Sequence, residues 1–429
     1  MSVSSENTQS AWADPKFAPV LSAPLTEHER VDLAIVGGGI LGLSSALHGA
    51  RQGLSVRVLD AKRVGDLASG LNGGQVIAGF KYDPDWILAH FGEKRGTALL
   101  EFGAALPDAV FKLIEREHLE VPRQANGWIQ AAHTETAMRA AERRAGQWIE
   151  RGVSAKLLDA AEIARLTGAR GYLGGWIDPR GGAIQPFAYA RELARIASEA
   201  GVQIAQNTRI VRLTQQNGTW TLASVEGKLL RAKNVIIATN AYADGLVPGL
   251  AQSLLPLHSF QIATEPLAEE TLSKILPKGQ VVSDSRRIVV YYRKGPNGRM
   301  LLGGRGSMAE PKNPSAWAHL EHSLKRLYPM LANAKIEKRW YGRVAMTLDH
   351  LPHVHEPEPG LVIAAGCQGR GVGLMTALGP RLVDYLQSRD AEVIPFPITP
   401  IRPIPFHFFR NLGIGAAIAW YRLVDMLEK

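Results

Sequence analysis

The sequence predicts an α/β fold, α+β overall, in which a discontinuous Rossmann-like domain is interleaved with a second domain built on an antiparallel sheet. Two observations predict this class. Apolar strand-like runs, such as "DLAIVGG", "VRVLDA", "NVIIATNAY" and "GLVIAAG", alternate with helical stretches rich in Ala, Leu, Glu and Arg. Glycine-marked motifs of the nucleotide-binding kind fall in three separated segments, 31–90, 155–245 and 340–390. The intervening segments, 91–154 and 246–339, are therefore expected to form the second domain.

The composition favours a globular protein without a nucleic-acid partner. The chain has 429 residues, enough for two domains with a substantial core, and no run of about 20 apolar residues that a membrane helix needs. Its formal charge of +9 is dispersed among comparable numbers of acids, and there is no zinc-finger spacing or basic-region helix. An acidic small-molecule substrate suits this charge better than a nucleic acid.

The N-terminal segment, residues 1–30, is polar and shows no basic start followed by an apolar stretch. It predicts a flexible lead-in rather than a secretory signal. The single cysteine, Cys367, excludes an internal disulfide and fits a reducing compartment. These features predict a cytoplasmic protein.

The first strong motif is a strand, a glycine turn, a helix and a second strand over residues 31–61. Gly37, Gly39 and Gly42 form G-x-G-x-x-G, in which the first glycine allows a tight turn, the second admits a pyrophosphate and the third lets helix and strand pack closely. Asp60 ends the second strand, where a carboxylate accepts hydrogen bonds from ribose hydroxyls and repels a 2′-phosphate. The motif predicts a dinucleotide other than NADP.

Three further stretches favour a resident flavin over a nicotinamide. "LASGLNGGQV" (67–76) is a loop of small residues that backbone can bring close to a flat ligand. "NVIIATNAYADGL" (234–246) is an apolar strand that runs into a small polar turn. "LVIAAGCQGRGVGLMTALG" (361–379) is a strand, a glycine-rich turn and a second helix N-terminus able to face a negative group.

From about residue 30 onward, this set of motifs resembles the D-amino-acid oxidase superfamily of FAD-dependent amine and amino-acid oxidoreductases. Within it, the chain is most similar to the bacterial γ-glutamylputrescine oxidoreductases. "ASGLNGGQ" resembles that group's A-S-G-R-N-G-G-Q, with Leu71 in place of Arg. "GWIDPRGGAIQPFAYARELA" (175–194) and the C-terminal tail also look like that group.

The resemblance implies a set of FAD contacts. Asp60 would hold the adenosine ribose, and Val211 would touch the adenine through its backbone. The residues expected along the pyrophosphate are Gly37, Gly39, Ile40, Leu41 and Gly42. Those expected over the nucleotide half are Thr239 and Asn240. Those expected on the two sides of the flavin are Ser69, Asn72, Gly73, Gly74 and Gln75 on one side, and Gly369, Arg370, Gly371 and Val372 on the other.

The expected reaction is oxidation of an uncharged amine by hydride transfer to the flavin, followed by hydrolysis of the imine. The segment "RIVVYYRKGPNGRMLLGGRG" (287–306) resembles the family hairpin that places a tyrosine above the flavin. Tyr291 or Tyr292 is the expected substrate contact, since alternate residues of a strand face opposite sides. Arg293 is expected to pair with a substrate carboxylate. A plain cross-strand tyrosine pair is the alternative for either residue.

The segment "WYGRVAMTLDHLPHVH" (340–355) departs from the family pattern. Amino-acid oxidases of this superfamily resemble G-L-R-P-x-T-x-D, whose Arg clamps the substrate carboxylate. Here Arg343 stands one residue too far from Thr347, so Val344 would occupy the clamp position. This favours an amine whose reacting carbon carries no carboxylate. Gly342 stands where flavin-linked relatives carry Cys, which predicts noncovalent FAD.

No metal site is expected, and either of two electron acceptors fits. His350, His353 and His355 crowd beside Asp349 in a proline-containing loop, without the spacing of metal ligands. The sequence leaves both O₂ and a respiratory-chain carrier open as the acceptor.

The C-terminal segment, 391–429, predicts an extended arm followed by a helix. "PFPITPIRPIPFHFF" contains five prolines, and the apolar stretch from residue 406 to residue 427 is interrupted by two arginines. A helix docked on the FAD-binding domain is the favoured interpretation. A dimer contact or a weak membrane-surface contact, at the inner membrane, is the alternative.

The favoured substrate is γ-glutamylputrescine or a similar amine. An amino-acid oxidase or dehydrogenase of the D-amino-acid, glycine or sarcosine type is the first alternative, with Arg343 or Arg293 as its clamp. A noncatalytic flavoprotein binding module is the second, and an NAD-dependent dehydrogenase is the third.

Overall fold

The computed structural model describes residues 10–14, 16–17, 19–286, 289–307 and 310–410. The strands in these residues are β1 (Glu29–Val36), β2 (Val56–Leu59), β3 (Gln75–Val76), β4 (Arg123–Gln124), β5 (Trp128–Ala132), β6 (Lys156–Asp159), β7 (Gly174–Asp178), β8 (Gly182–Ile184), β9 (Gln203–Ala205), β10 (Ile210–Gln216), β11 (Thr219–Ser224), β12 (Leu229–Ile237), β13 (Leu255–Thr264), β14 (Val281–Asp284), β15 (Val290–Lys294), β16 (Met300–Arg305), β17 (Ile336–Met346), β18 (His353–Glu358) and β19 (Leu361–Ala365). The helices are α1 (Ile40–Arg51), α2 (Ala68–Leu71), α3 (Pro84–Ala104), α4 (Leu106–Arg116), α5 (Glu135–Ile149), α6 (Ala160–Thr167), α7 (Pro186–Glu199), α8 (Glu269–Lys274), α9 (Ala318–Leu327) and α10 (Gly371–Ser388).

The first sheet has a parallel centre of five strands in the order β9-β2-β1-β12-β19. β11 and β10 continue from β12 as an antiparallel meander, and β18 lies antiparallel beside β19. Because the five central strands are parallel, their carboxyl ends meet at one edge, where ligands bind in open α/β sheets. The predicted Rossmann-like arrangement is confirmed.

The turn from β1 into α1 depends on two glycines. Gly37 has a φ of +111°, and a Cβ there would lie 2.9 Å from the backbone of Ala238. A Cβ at Gly42 would lie 1.9 Å from the carbonyl oxygen of Gly37. The first glycine therefore supplies the conformation, and the third lets the helix pack on the strand, as the motif predicts.

Helix α10 crosses α1 at a contact made of small residues. Pro380, inside α10, has no N–H and so leaves the carbonyl of Thr376 without its helical donor. The Ser44 hydroxyl of α1 donates to that carbonyl at 2.7 Å, and the neighbouring Ser45 hydroxyl donates to Gly379 at 3.2 Å. Ser44 thus supplies the donor that Thr376 lacks because of the proline. The two serine bonds together hold α1 against α10, near the glycine-rich start of each helix.

The second large sheet has the order β17-β13-β16-β15-β14-β5-β7-β6. It is antiparallel except between β14 and β5, which pair in parallel. β6 and β7 lie in this sheet, although the sequence predicts that residues 155–245 belong to the nucleotide-binding domain. β17 also lies in this sheet, although the sequence predicts that the last nucleotide-binding segment begins at residue 340. Sheet membership therefore moves both segments toward the second domain.

Part of the N-terminal lead-in, which the sequence predicts to be flexible, is packed against the protein in the described residues between 10 and 30. Trp12 has 0% of its surface exposed, and Phe17 and Leu25 are also buried. The Ala23 N–H donates to Ile204 of β9 at 2.8 Å, so the segment also follows the sheet edge. Three apolar side chains among polar neighbours give too weak a pattern to predict this packing.

The C-terminal arm is extended between a 3₁₀ turn at Ala391–Val393 and a second one at His407–Phe409. The Thr399 N–H donates to Val354 at 2.9 Å, and the Ile404 N–H donates to Gln252 at 2.9 Å, which ties the arm to the chain. The predicted C-terminal helix and its membrane-surface contact fall largely on residues 411–429, which lie outside the described residues. None of the helices in the described part of the chain combines the length and hydropathy of a membrane span.

Candidate active site

A cleft of about 720 Å³ opens between the two large sheets. This volume is within the range of cofactor and ligand pockets. The predicted site residues that line it are Gly37, Gly39, Ile40, Leu41, Asp60, Ser69, Asn72, Gly73, Gly74, Gln75, Thr239, Asn240, Gly369, Gly371, Val372, Tyr291 and Arg343. The fold thus brings most of the separated motifs to one place, at the carboxyl edge of the parallel strands.

The N-terminus of α1 faces the cleft and suits a phosphate group. Gly39 occupies the N-cap position, and no side chain caps the helix there. The Ile40 N–H donates to Ser69 Oγ at 3.1 Å, and a Cβ at Gly39 would lie 2.7 Å from the same oxygen. Backbone amides and the partial positive charge of the helix therefore meet in a space that a side chain would fill.

Asp60 lies on the cleft floor at the end of β2. It accepts hydrogen bonds from the Gly38 N–H at 2.6 Å and from the Lys62 N–H at 2.7 Å. Burial raises the pKa of this carboxyl above its usual value, and the two backbone donors only partly offset that cost. The charge is thus held at a position that favours a ligand with hydroxyl donors, such as a ribose.

Replacing Asp60 with asparagine should weaken FAD binding without destabilising the apoprotein. A raised folded-state pKa means that the carboxylate costs stability as the pH rises through that value, so a neutral amide removes the cost at pH 7. Loss of the charged acceptor should raise the FAD dissociation constant about tenfold. FAD titration and thermal unfolding of the apoprotein measure the two effects. A melting temperature several degrees lower would show that the bonds to Gly38 and Lys62 outweigh the burial cost.

The adenosine end of the cleft differs from the prediction at one residue. Thr208, Arg209 and Ile210 line the cleft, whereas Val211 is half exposed outside it. A register shift between Ile210 and Arg212 marks a β-bulge at this point. A bulge re-aims the residue it contains, which accounts for the position of Val211 outside the cleft lining.

The turn Asn72–Gly74 forms one wall of the flavin end. The Asn72 side chain closes the turn, since it donates to Ala68 and Ser69 and accepts from the Gly74 N–H at 2.8 Å. A Cβ at Gly73 would lie 2.6 Å from the Tyr291 ring, and one at Gly74 would lie 2.1 Å from the Ile184 carbonyl oxygen. Both glycines are therefore required by protein neighbours, and not only by a flat ligand as the sequence suggested.

The facing wall is the glycine-rich turn before α10. Gly369 has a φ of +77° and open space where a Cβ would be, and Gly371 and Val372 line the cleft at the helix N-terminus. Arg370 points elsewhere, because its guanidinium donates to the Ala78 carbonyl at 2.7 Å. Three residues of this turn therefore line the cleft, whereas the Arg370 side chain does not.

The two candidate tyrosines lie on opposite faces of β15. Tyr291 lines the cleft, and its hydroxyl lies 2.6 Å from Ser259 Oγ. Burial raises the pKa of Tyr291 to about 12, so its hydroxyl stays protonated at neutral pH. Tyr292 is fully buried in the hydrophobic core between the second large sheet and α9, edge-on to Tyr328 with the ring centres 5.7 Å apart. Tyr291 is therefore the substrate-contact candidate, and Tyr292 is a core residue.

Arg293 does not reach the cleft, which corrects its predicted role as a carboxylate clamp. Its guanidinium is buried, donates to the Ile184 carbonyl at 2.6 Å and lies beside Gly73 O at 3.5 Å. Burial lowers the pKa of Arg293 to about 9. Arg293 lies on the same face of β15 as Tyr291, but the Asn72–Gly74 turn lies between Arg293 and the cleft.

Strand β17 shows what replaces the family's clamp position. Gly342 and Val344 both line the cleft, and Val344 is apolar where an amino-acid oxidase would present its arginine. Arg343 also lines the cleft but donates to Glu310 Oε1 at 2.6 Å, with 36% of its side chain exposed. The cation therefore sits at the open rim, paired with an acid.

The sequence matches the model of the family described as DAO, FAD dependent oxidoreductase, over residues 32–385. The chain belongs to this family. It is 31% identical to the γ-glutamylputrescine oxidoreductase of Escherichia coli (strain K12), over 98% of this chain and 99% of that protein. It is 30% identical to the probable oxidoreductase OrdL of Haemophilus influenzae, over 98% of each.

The fold of the DAO family is also found in solved structures. The crystal structure of glycine oxidase from Geobacillus kaustophilus matches with a TM-score of 0.73 at 22% identity, over 88% of this chain and 99% of that one. Iminodiacetate oxidase from Chelativorans sp. BNC1 matches with a TM-score of 0.71 at 20% identity, over 87% and 100%. The predictions of the family, the α/β class and an FAD-dependent oxidoreductase acting on amines or amino acids are confirmed.

The residues present fit the FAD of this DAO enzyme. The amide-lined start of α1 would hold its pyrophosphate, Asp60 would hold its ribose, and the two glycine turns would approach its ring. FAD would supply a two-electron acceptor in this cleft.

Several residues of the cleft escaped the sequence analysis, among them Glu310 at the rim and two residues of β13. Ser259 and Gln261 lie two apart on β13 and face the cleft, where Gln261 donates to the Leu71 carbonyl at 2.5 Å. Polar residues at alternate positions of "LPLHSFQIAT", a strand that is otherwise apolar, are the signal that could have found them.

The histidine-rich segment takes no part in the cleft lining. His353 Nε2 lies 2.9 Å from Asp349 Oδ2, and His355 Nδ1 lies 2.7 Å from the Thr399 carbonyl oxygen. Burial lowers the pKa of His350, whose φ is +54°. His353 and His355 thus lie in β18, and His350 lies in the turn before it.

Proposed function

We propose that this DAO enzyme oxidises a primary or secondary amine whose reacting carbon carries no carboxylate, with γ-glutamylputrescine or a similar amine favoured. The observation that carries the proposal is the wall of β17. Val344 presents a methyl surface to the cleft, while Arg343 is drawn to the rim by Glu310. A carboxylate beside the reacting carbon would meet Val344 unpaired, and burying an unpaired charge is costly.

The residues around the reacting position act by orienting the amine and excluding water. Tyr291 lies between Gly73 and Gly303, at each of which a Cβ would meet its ring within 2.6 Å. This places the Tyr291 hydroxyl, with Ser259, where it can accept from or donate to a neutral amine nitrogen. Since the amine loses two electrons and two protons, the product is an imine, and water then converts it to an aldehyde with release of ammonia or an amine.

The rim pair supplies recognition for the far end of such a substrate. An α-amino-acid end group carries an ammonium and a carboxylate, which complement Glu310 and Arg343 respectively. A γ-glutamylated polyamine has this zwitterion at one end and the reacting amine at the other. The similarity to the γ-glutamylputrescine oxidoreductase of Escherichia coli supports the same substrate class.

FAD is proposed to be held noncovalently. Gly342 offers no side chain to form a bond with the flavin, and it lies against Leu71 and Ala68 of α2. Acid precipitation of the purified protein should leave the yellow flavin in the supernatant. Flavin retained in the pellet would contradict the proposal and would point to the cleft-lining thiol Cys367, which Cys367→Ser would test.

The substrate proposal is tested by anaerobic reduction of the bound flavin with γ-glutamylputrescine, putrescine, glycine, sarcosine and D-alanine. Bleaching by γ-glutamylputrescine at concentrations far below those needed with the amino acids is the expected result. Bleaching by amino acids alone would contradict the proposal and favour an amino-acid oxidase or dehydrogenase that uses Arg343 directly. A yellow protein that none of the tested compounds bleaches would also contradict it.

A further inference from the structure

The N-terminal segment contributes a buried tryptophan that contacts the Asn72–Gly74 turn from the side away from the cleft. Trp12 is fully buried although it precedes the family match at residue 32 by twenty positions. Its indole N–H donates to the carbonyl of Asn72 at 2.9 Å. Asn72 is the residue whose side chain closes the turn, so this bond fixes the backbone at the point where that turn is built.

The same indole ring packs against two residues of the second large sheet. It meets Trp340 of β17 edge-on, with the ring centres 6.1 Å apart, and the guanidinium carbon of Arg293 lies 5.4 Å from its centre. Trp340 donates to the Leu71 carbonyl at 3.0 Å, and Arg293 supports Gly73 from below. Trp12 therefore contacts two of the side chains that hold the turn from the protein side.

The segment that carries Trp12 is anchored along the first domain. Gln185 donates to the Trp12 carbonyl at 2.8 Å, and Arg191 donates to the Phe17 carbonyl at 2.8 Å. The Phe17 ring packs edge-on against Phe187 at 6.4 Å. Helix α7 thus holds the backbone on both sides of residues 12–17, and the indole is presented to the turn at a fixed distance.

We infer that Trp12 is a positioning residue for the flavin, which acts by holding the Asn72–Gly74 turn at the correct distance from the flavin ring. Trp12 is not in the cleft lining and touches no reacting atom. Because a carbonyl deprived of its buried donor draws its backbone toward another partner, loss of the indole N–H should move the turn. The inference concerns the FAD that the family requires, and it holds whichever amine is oxidised.

The test compares Trp12→Phe with Trp220→Phe. Both tryptophans are buried and donate to a backbone carbonyl, but Trp220 donates to Pro359 at 3.4 Å, away from the cleft. Trp12→Phe should weaken FAD binding about five- to thirtyfold and shift the flavin absorption bands and reduction potential. Trp220→Phe should change the FAD dissociation constant less than about twofold. Equal losses of melting temperature with FAD affinity and spectrum unchanged in both variants would overturn the inference.

A measurement on the unaltered chain keeps the inference testable if Trp12→Phe does not fold. Coupling between two sites is reciprocal, so FAD must stabilise the N-terminal segment as much as that segment stabilises FAD. Amide hydrogen exchange of residues 10–24 should therefore be at least about fivefold slower in the holoprotein than in the apoprotein. Helix α9, which packs in the hydrophobic core beside the second large sheet, serves as the internal reference. Equal protection of residues 10–24 with and without FAD would overturn the inference.

Discussion

Replacing Gly39 with valine is expected to abolish FAD binding while leaving the protein folded. Gly39 has a φ of −82° and a ψ of −174°, which valine adopts without strain, so the backbone can be retained. The valine Cβ would lie 2.7 Å from Ser69 Oγ, and its methyls would fill the space before the first amides of α1. The FAD dissociation constant should rise at least about a hundredfold, equivalent to roughly 2.7 kcal/mol.

Visible absorbance of the purified protein and FAD titration measure this loss, and circular dichroism checks the fold. Gly146→Val is the matched control, since a Cβ there meets no atom within 4 Å and the residue lies in α5, away from the cleft. A yellow Gly39→Val protein with near-normal affinity would show that the pyrophosphate lies elsewhere. Gly37 is unsuitable for this test, because its φ of +111° would turn a binding experiment into a folding experiment.

The nucleotide half of the site was predictable because its signals are local in the sequence. Gly37, Gly39 and Gly42 lie within one turn, and their strand and helix follow from hydrophobic periodicity over adjacent residues. The turn geometry then places Asp60 from a parallel pairing of β1 with β2 alone. Errors arise where a local irregularity intervenes, as with the bulge that turns Val211 to solvent.

The substrate half was predictable only in outline, because it depends on which face of a strand meets the cleft. Alternation shows that Tyr291 and Tyr292 diverge, but only the packing of the second sheet shows that Tyr291 takes the cleft side. Arg293 shares that side, yet the Asn72–Gly74 turn lies between it and the cleft. These outcomes are set by long-range contacts that no spacing within a strand encodes.

Trp12 shows the same limit more sharply. A single tryptophan in a polar stretch carries no periodicity, and its partners, Asn72 and Trp340, lie 60 and 328 positions away along the chain. Its burial follows from tertiary packing alone.

Replacing Arg343 with methionine is expected to separate the two ends of the substrate. Methionine retains much of the apolar stem but not the guanidinium, so the distal carboxylate loses its charged donor while Val344 and Tyr291 stay in place. The kcat/KM for γ-glutamylputrescine should fall about 30- to 100-fold, or roughly 2–2.7 kcal/mol, mainly through KM. The value for putrescine, which has no carboxylate, should fall less than about threefold.

The expected selectivity is what distinguishes recognition from a general loss of function. Arg339→Met is the matched control, because Arg339 lies four residues earlier on β17 and its partly exposed pair with Glu321, at 2.7 Å, lies outside the cleft. Glu310→Gln should raise KM for γ-glutamylputrescine as well, and its effect should shrink in the Arg343→Met background, since both charges bind one zwitterion. Equal losses with γ-glutamylputrescine and putrescine would contradict distal recognition and assign Arg343 to the integrity of the cleft. Arg343 and Val344 are neighbours on β17, and Arg343 lies at the rim of the cleft while Val344 lies in its wall. This arrangement follows from the one-residue displacement of the arginine relative to the family pattern.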